Sequence, residues 1–315
     1  MAEPDPLLFY ETHYDLIGQW MPLRCDNVVL GGPARRICRF CGKTAPDVTF
    51  KKVAHAIPEA LGNRGVVSLY ECDACNTLFG EGIENDLGNW TKPLRTFARI
   101  RGKSGVPTLK RGGDTGWRIE PDDNGFQIKN YEDDPVMVVD HEAKRLHFTL
   151  KRDPFTPVAV LKALMKIGLT LMPEAEIGNF AHALAWIRLT DHNIGFAEKA
   201  PVFYQFQPGP MPNDRIVALL LRRKSGVEGV PYAFLVLGYG NEVFQVPLPS
   251  AAHDQAINGK LVTLSVFPVP GGSDPALYGP PGRKTLDLTG RDIVRGEVVP
   301  LTVGFENAIP VEPAA

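Results

Sequence analysis

Four of the five cysteines in this 315-residue chain form two Cys-x-x-Cys pairs, Cys38 with Cys41 and Cys72 with Cys75. The two-residue spacing lets both sulfurs of a pair face one ion, and four thiolates close a tetrahedral zinc site. Because four protein ligands leave no open coordination position, this Zn²⁺ would be structural. A redox-active dithiol is the alternative use of such a pair, and the presence of two matched pairs disfavours it.

One histidine lies between the cysteine pairs, and an asparagine follows the last cysteine. His55 is followed by Pro58, by a loop containing Gly62 and by a predicted strand, and Asn76 stands at the start of a predicted helix. This order of residues resembles the HNH endonuclease family, the ββα-metal nucleases, in its zinc-knuckle variant. The resemblance covers roughly residues 37–90.

The resemblance implies a role for each of these two polar residues. His55 matches the general base that activates water for attack on a phosphodiester, and Asn76 matches a ligand of a single catalytic Mg²⁺ or Mn²⁺ ion. Imidazole titrates near neutral pH, and an amide oxygen is a hard ligand that suits such an ion. The start of a helix also favours a nearby phosphate. The resemblance therefore implies metal-dependent hydrolysis of DNA.

The sequence departs from the family pattern at two places. The family often has an acidic residue or a histidine just before the catalytic histidine, where it serves as a second metal ligand, and this chain has Ala54 there. The middle asparagine of the motif would fall near residues 68–70, which read Ser-Leu-Tyr, whereas Asn63 lies earlier. The metal site therefore needs a ligand from elsewhere.

Three glutamates near the second cysteine pair are candidates for that ligand: Glu71, Glu81 and Glu84. Glu84 lies about two helical turns beyond Asn76, so it reaches the same ion only if the helix bends. The alternative for each glutamate is a solvent-exposed or ion-paired role.

A basic stretch follows the motif, with no acidic residue between Asp86 and Asp114. A local cluster of positive charge neutralises backbone phosphates and gives salt-dependent binding with little sequence preference. A solvated surface is the alternative for such a run. We predict that the nucleic-acid contacts come from Lys92, Arg95, Arg99, Arg101 and Lys103.

The motif requires a strand, a loop, a strand and a helix to bring its residues together. Alternation and β-branched content predict strands over 48–55 and 65–71, and apolar residues at helical spacing predict a helix over 73–87. Residues 1–36 are predicted to be irregular or partly helical, because apolar residues between 7 and 20 have roughly helical spacing.

The pattern changes after the basic stretch. Two β-hairpins are predicted within 114–152. Helices over 157–173 and 174–189 then precede a run of strands within 200–305, which is typical of an α+β fold. The predicted units are a lead-in (1–36), an HNH nuclease domain with its basic extension (37–113), a C-terminal α+β domain of mixed helices and β-sheet (114–305) and a tail (306–315).

Composition limits the partners and the location. The formal net charge of −2 shows no global basic bias, so a basic surface must be local. Apolar runs such as 216–221 are far too short to span a bilayer, so no membrane contact is expected. The cysteine usage favours a reducing compartment, and the acidic N-terminus lacks the pattern of a signal peptide. We therefore predict a cytoplasmic protein with DNA as its partner.

Two other functions fit the same residues. A catalytically inactive domain would use the zinc-held platform only to bind nucleic acid. An interaction protein would use the zinc as a clamp, with a C-terminal half that binds a regulatory partner or forms a homo-oligomer. In an active nuclease, the C-terminal domain would regulate activity, recognise the substrate or mediate oligomerisation. Such an arrangement would suit a bacterial effector, for example in phage defence, by fold-level analogy.

Overall fold

A computed structural model of the chain shows helices and β-sheets interleaved along the sequence, which confirms a mixed fold. The described residues are 5–22, 27–32, 36–111, 116–122, 125–129, 136–193, 195, 201–257, 260, 264–269 and 274–309. The predicted boundary at 113/114 lies outside these residues, as do the last six residues of the predicted tail.

The helices and strands alternate irregularly along the chain. The α-helices are α1 (Pro6–His13), α2 (Asp73–Glu81), α3 (Ile83–Phe97), α4 (Pro157–Leu171), α5 (Glu174–Ile177), α6 (Ala181–Ile187) and α7 (Pro275–Tyr278). The strands are β1 (Tyr14–Trp20), β2 (Val28–Leu30), β3 (Ala54–His55), β4 (Val66–Ser68), β5 (Leu109–Lys110), β6 (Arg118–Pro121), β7 (Phe126–Lys129), β8 (Met137–Asp140), β9 (Arg145–Lys151), β10 (Pro201–Phe206), β11 (Ile216–Arg223), β12 (Ala233–Tyr239), β13 (Glu242–Leu248), β14 (Gly282–Asp287) and β15 (Val298–Gly304).

The motif region forms a small sheet followed by a helix. Strand β3 pairs antiparallel with β4, so that His55 lies opposite Val67, and β2 pairs parallel with the other edge of β4. Helix α2 follows β4 directly. This is the predicted ββα order, with β2 added from the region predicted as a lead-in.

The strand predicted over 48–55 is wrong for residues 48–53. The Asp73 carboxylate accepts the backbone N–H groups of Lys51 and Lys52 at 3.0 and 2.8 Å, together with the Thr49 hydroxyl. These bonds hold the segment over the start of α2, so its backbone groups are not available to a sheet. Only Ala54 and His55 remain in the strand.

The single helix predicted over 73–87 is divided in two. Helix α2 ends at Glu81, Gly82 adopts φ −105° and ψ −105°, and α3 begins at Ile83. Because Gly82 leaves the helical conformation, the chain changes direction between the two helices. The second helix then continues well beyond the predicted end.

The largest sheet among the described residues has six strands in the order β1-β11-β12-β13-β10-β14, and all neighbours are antiparallel. Its edge strand β1 comes from the region predicted as irregular or helical. The helix there ends at His13, and the residues from Tyr14 to Trp20 pair with β11. This long-range pairing satisfies backbone groups that a longer helix would have satisfied locally.

One hydrophobic core joins the motif region to this sheet through α4. The helix is buried from Val158 to Leu171, and Gly168 lets it approach Leu235 and Leu248 closely, because an added Cβ would lie 2.8 Å from the Leu248 side chain. The same core contains Cys38, Phe79, Trp90 and sheet residues such as Phe244. The other face of the sheet is covered by Tyr10, Tyr14 and Phe267 around Phe234.

The predicted hairpins form two smaller sheets. One sheet has the strand order β5-β6-β7 and the other has the order β15-β9-β8, and all neighbouring strands in both sheets are antiparallel. Their shared core includes Trp117, Ile119 and Phe148, and the Phe97 ring of α3 lies 4.7 Å from that of Phe148. Within the described ranges, every helix is too short or too polar to cross a membrane.

Candidate zinc centre and active site

The four predicted zinc ligands lie together. The sulfur atoms of Cys38, Cys41, Cys72 and Cys75 are all within 4.8 Å of one another, and those of Cys41 and Cys72 are 3.8 Å apart. A tetrahedral ZnS₄ site with Zn–S bonds of about 2.3 Å has sulfur–sulfur distances of about 3.8 Å. The residues therefore fit one structural Zn²⁺ ion.

Local backbone structure sets this geometry. Gly42 adopts a positive φ of 70° and donates its N–H to the Cys38 carbonyl at 2.8 Å, which closes the first knuckle. Cys72 lies at the N-terminal cap of α2 and donates its N–H to the Cys38 sulfur at 3.5 Å. A hydrogen bond from the Cys75 thiol, with backbone N–H groups, lowers the pKa of Cys38 to about 4 despite its burial. The thiolate form that binds metal is thus favoured there.

The His55 side chain is half-buried beside a carboxylate. Its Nε2 lies 3.7 Å from Oε2 of Glu59, and its Nδ1 is buried without a hydrogen-bond partner among the described residues. Burial lowers the pKa of His55, and this effect outweighs the attraction of Glu59 and Glu84, which raises it. The imidazole is therefore neutral at pH 7 and able to accept a proton.

The loop after His55 is ordered by Asn63, a buried residue to which the motif assigned no role. Asn63 donates its amide N–H groups to the carbonyls of Ile57 and Val66 at 2.6 and 3.0 Å. Its amide oxygen accepts the N–H groups of Gly65 and Val66 at 3.1 and 2.9 Å. These four bonds tie the end of β3 to the start of β4. An asparagine between two glycines was the available signal for such a turn.

A cavity of about 560 Å³ opens beside His55. It brings together three of the polar residues singled out from the sequence, His55, Asn76 and Glu84, with the predicted DNA contact Lys103. The remaining lining residues are Lys52, Val53, Pro58 and Glu59. The cavity thus combines a neutral base, hard oxygen donors and two cationic side chains, a set suited to a divalent ion and a phosphate.

Comparison with protein families assigns this segment. Residues 38–91 match the HNH endonuclease family. The match begins at the first cysteine of the four-cysteine cluster, ends within α3, and confirms the resemblance predicted from the sequence. This segment is called the HNH domain below. HNH domains are generally nucleases that use divalent metal ions, which implies a nucleic-acid substrate. Neither a curated protein nor a solved structure matches the chain.

The break at Gly82 explains how Glu84 reaches the cavity of the HNH domain. In one straight helix Asn76 and Glu84 would lie about 12 Å apart along the axis. Because the axis turns between α2 and α3, both residues line the same cavity. The other two glutamates differ: Glu71 is fully buried against Lys166, and Glu81 is exposed.

A second cavity of about 610 Å³ continues from the first along α3. The two share Pro58, Glu59, Glu84 and Lys103 as lining residues, so they form one cleft. Beyond the shared residues the cleft is lined by Ala60, Gly80, Asn85, Gly88, Asn89, Lys92, Arg95, Pro107 and Asp153. The cleft therefore extends from the His55 cavity to residues along α3.

Four of the five predicted DNA contacts fall into two groups: two are exposed, and two are paired with other groups of the protein. Lys103 and Arg101 are exposed, and Lys103 lines the cleft. Lys92 forms an ion pair of 2.6 Å with Asp153, and Arg99 donates a hydrogen bond to the Asp122 carbonyl.

Arg95 differs from these residues because it is 6% exposed. Its guanidinium donates to Thr91 Oγ1 and to the carbonyls of Ala60 and Gly88, at 2.6 to 2.8 Å. These bonds give Arg95 a structural role, while Arg95 also lines the second part of the cleft, so its contact with phosphate stays a prediction.

Proposed function

We propose that the chain is a metal-dependent endonuclease that hydrolyses phosphodiester bonds of DNA. One observation carries this proposal: His55, Asn76 and Glu84 line a single cavity within a segment that matches the HNH endonuclease family. Asn76 and Glu84 supply the oxygen ligands for Mg²⁺ or Mn²⁺, and Glu84 takes the place that Ala54 leaves unfilled. Such an ion, when bound, neutralises charge on the phosphate and on the leaving oxygen.

His55 acts as the general base in this proposal. Its neutral imidazole takes a proton from the attacking water. The resulting imidazolium is stabilised by Glu59, whose carboxylate lies 3.7 Å from Nε2. Because burial disfavours the charged imidazole, this carboxylate matters most after the proton has been transferred.

Two lysines bind the substrate in this proposal. Lys52 and Lys103 both line the cavity. The Lys52 ammonium is oriented by the Thr77 hydroxyl at 3.0 Å, whereas Lys103 is exposed at the junction with the second part of the cleft. Their charges neutralise backbone phosphates on either side of the cleaved bond.

A cleavage assay with two substrates tests the proposal. Zinc-loaded protein, in buffer freed of other divalent ions, is mixed with supercoiled plasmid or with single-stranded RNA, and Mg²⁺ or Mn²⁺ is then added. We expect nicked and linear plasmid only after addition of the ion. Cleavage of RNA alone would contradict the choice of DNA, and binding of either substrate without cleavage would contradict the assignment as a nuclease.

A further inference from the structure

A lysine from α4 reaches beneath the active site of the HNH domain. The Lys166 side chain is 1% exposed, in a helix whose other residues are largely apolar. Its ammonium lies 2.9 Å from Oε2 of the fully buried Glu71 and donates a hydrogen bond of 2.8 Å to Oε1 of Glu84. Of these two glutamates, Glu84 lines the cavity and Glu71 does not.

The charge on Lys166 is maintained by its neighbours. Burial alone would lower the pKa of this ammonium, but the attraction of Glu71 and Glu84 outweighs burial and raises it. The ring of Phe79 lies 5.4 Å from the ammonium and adds a cation–π contact. Leaving a buried charge unpaired is strongly destabilising, so Lys166, Glu71 and Glu84 hold one another in place.

We propose that Lys166 is a positioning residue for Glu84. The Lys166 ammonium binds Oε1 of Glu84, and Oε2 of Glu84 has no hydrogen-bond or ion-pair partner among the described residues. Oε2 is then the oxygen that Glu84 offers to a divalent ion in the cavity. This inference rests on the proposed metal site, and it makes a helix outside residues 38–91 part of the nuclease centre.

Both ends of α4 are fixed to the HNH domain, which keeps Lys166 in place. At the N-terminal end, the Asp86 carboxylate accepts the backbone N–H of Thr156. At the C-terminal end, Arg39 Nη1 donates to the carbonyls of Leu169, Thr170 and Met172 at 2.9, 2.7 and 2.8 Å. Arg39 belongs to the first zinc knuckle, so the zinc centre and the α4 helix are held together.

Binding of Mn²⁺, followed by the electron paramagnetic resonance signal of the free ion, tests this role without relying on cleavage. The variant Lys166→Met leaves Glu71 buried and uncompensated, so it is also combined with Glu71→Gln to protect the fold. We expect the double variant to keep its zinc and to bind Mn²⁺ at least about 10-fold more weakly, the range seen when residues that orient metal ligands are removed.

A matched control lies one turn earlier in the same helix. Lys162 is also buried, but its ammonium donates to the Leu189 carbonyl at 2.7 Å, and it lines neither part of the cleft. We expect Lys162→Met to bind Mn²⁺ within about twofold of the parent protein, since it orients no metal ligand.

Two results would overturn the positioning role. One is unchanged Mn²⁺ affinity in a folded, zinc-loaded Lys166→Met/Glu71→Gln protein, and the other is unchanged affinity in Glu84→Gln. Mn²⁺ binding that depends on both Lys166 and Glu84, in a protein that cleaves no nucleic acid, would support the positioning role and contradict the nuclease function.

Discussion

At His55, burial and charge act on the imidazole in opposite directions. Burial lowers the pKa and is the larger effect, while Glu59 and Glu84 raise it. A base of this kind is neutral at physiological pH and regains its proton only in more acidic solution. The residue type and its place in the motif were readable from the sequence. The effect of Glu84 on the pKa of His55 was not readable, because only the fold brings Glu84 close to the imidazole.

The pH dependence of cleavage follows from this balance. Because protonated His55 cannot act as a base, kcat/KM should rise with pH, with a midpoint below the ordinary histidine value of about 6.5. Glu59→Gln removes an attraction that raises the pKa, so its midpoint should move lower still. Glu81→Gln, an exposed residue outside the cavity, should leave the midpoint in place. A parent midpoint at or above 6.5 would contradict this account.

The hydrogen bonds of the single residue Asn63 lead to a prediction about the stability of the protein. Asn63→Ala removes four hydrogen bonds and leaves the N–H groups of Gly65 and Val66 buried without partners. We expect a loss of about 3 kcal/mol in the free energy of unfolding, measured with urea. The exposed Asn85→Ala serves as the control, with a change within about 0.5 kcal/mol. A similar small change for Asn63→Ala would show that the loop is ordered by other contacts.

At the scale of elements, local patterns predicted the strand, strand and helix of the motif but missed where they end. The apolar periodicity continues through Ile83 and Leu87 and predicts one helix, although Gly82 is a weak helix former at the point where the helix breaks. The segment 48–53 alternates like a strand, yet its backbone bonds to Asp73. At 48–53 a contact from outside the segment decides the conformation, which a local pattern does not contain.

The break at Gly82 can be tested by substitution. An added Cβ would lie 3.0 Å from the Leu78 carbonyl oxygen, and alanine favours a continuous helix, so Gly82→Ala should move Glu84 away from Asn76. We expect roughly 10-fold weaker Mn²⁺ binding with zinc retained.

Gly80→Ala is the control for this substitution, because open space surrounds its Cβ position within α2. Gly80 lines the second part of the cleft but not the cavity that contains Asn76. It should stabilise the protein by up to about 1 kcal/mol and leave Mn²⁺ binding unchanged. Equal Mn²⁺ affinities in Gly82→Ala and Gly80→Ala would contradict a role for the break.

At the scale of the whole molecule, the sequence indicated a mixed fold but not how its parts join. The β1 strand pairs with β11, about 200 residues away, and Lys166 crosses from α4 into the HNH domain. A lysine in an apolar helix pattern gives no sign of its distant partners. The division at residue 113, predicted from the change in residue pattern, remains a proposal, and the hydrophobic core extends across it from Cys38 to Leu288.

This shared core predicts that zinc release and unfolding occur together. Cys38, Cys72 and Cys75 are buried in the same core as α4 and the large sheet, so opening the zinc centre should disrupt that core as well. In a urea titration, zinc captured by a coloured chelator and the circular dichroism of the sheet should change at one midpoint. Release of zinc at clearly lower urea than loss of the sheet would show that the HNH domain unfolds independently.

The most direct test of the account is the rate of plasmid nicking by three zinc-loaded proteins in saturating Mn²⁺: the parent, His55→Ala and His141→Ala. His141 is exposed in the turn between β8 and β9 and lines neither part of the cleft. We predict that His55→Ala is at least about 100-fold slower, because a positioned general base contributes 10²- to 10⁴-fold, and that His141→Ala matches the parent. Nicking by His55→Ala within a few-fold of the parent rate would contradict the assignment of His55 as the base.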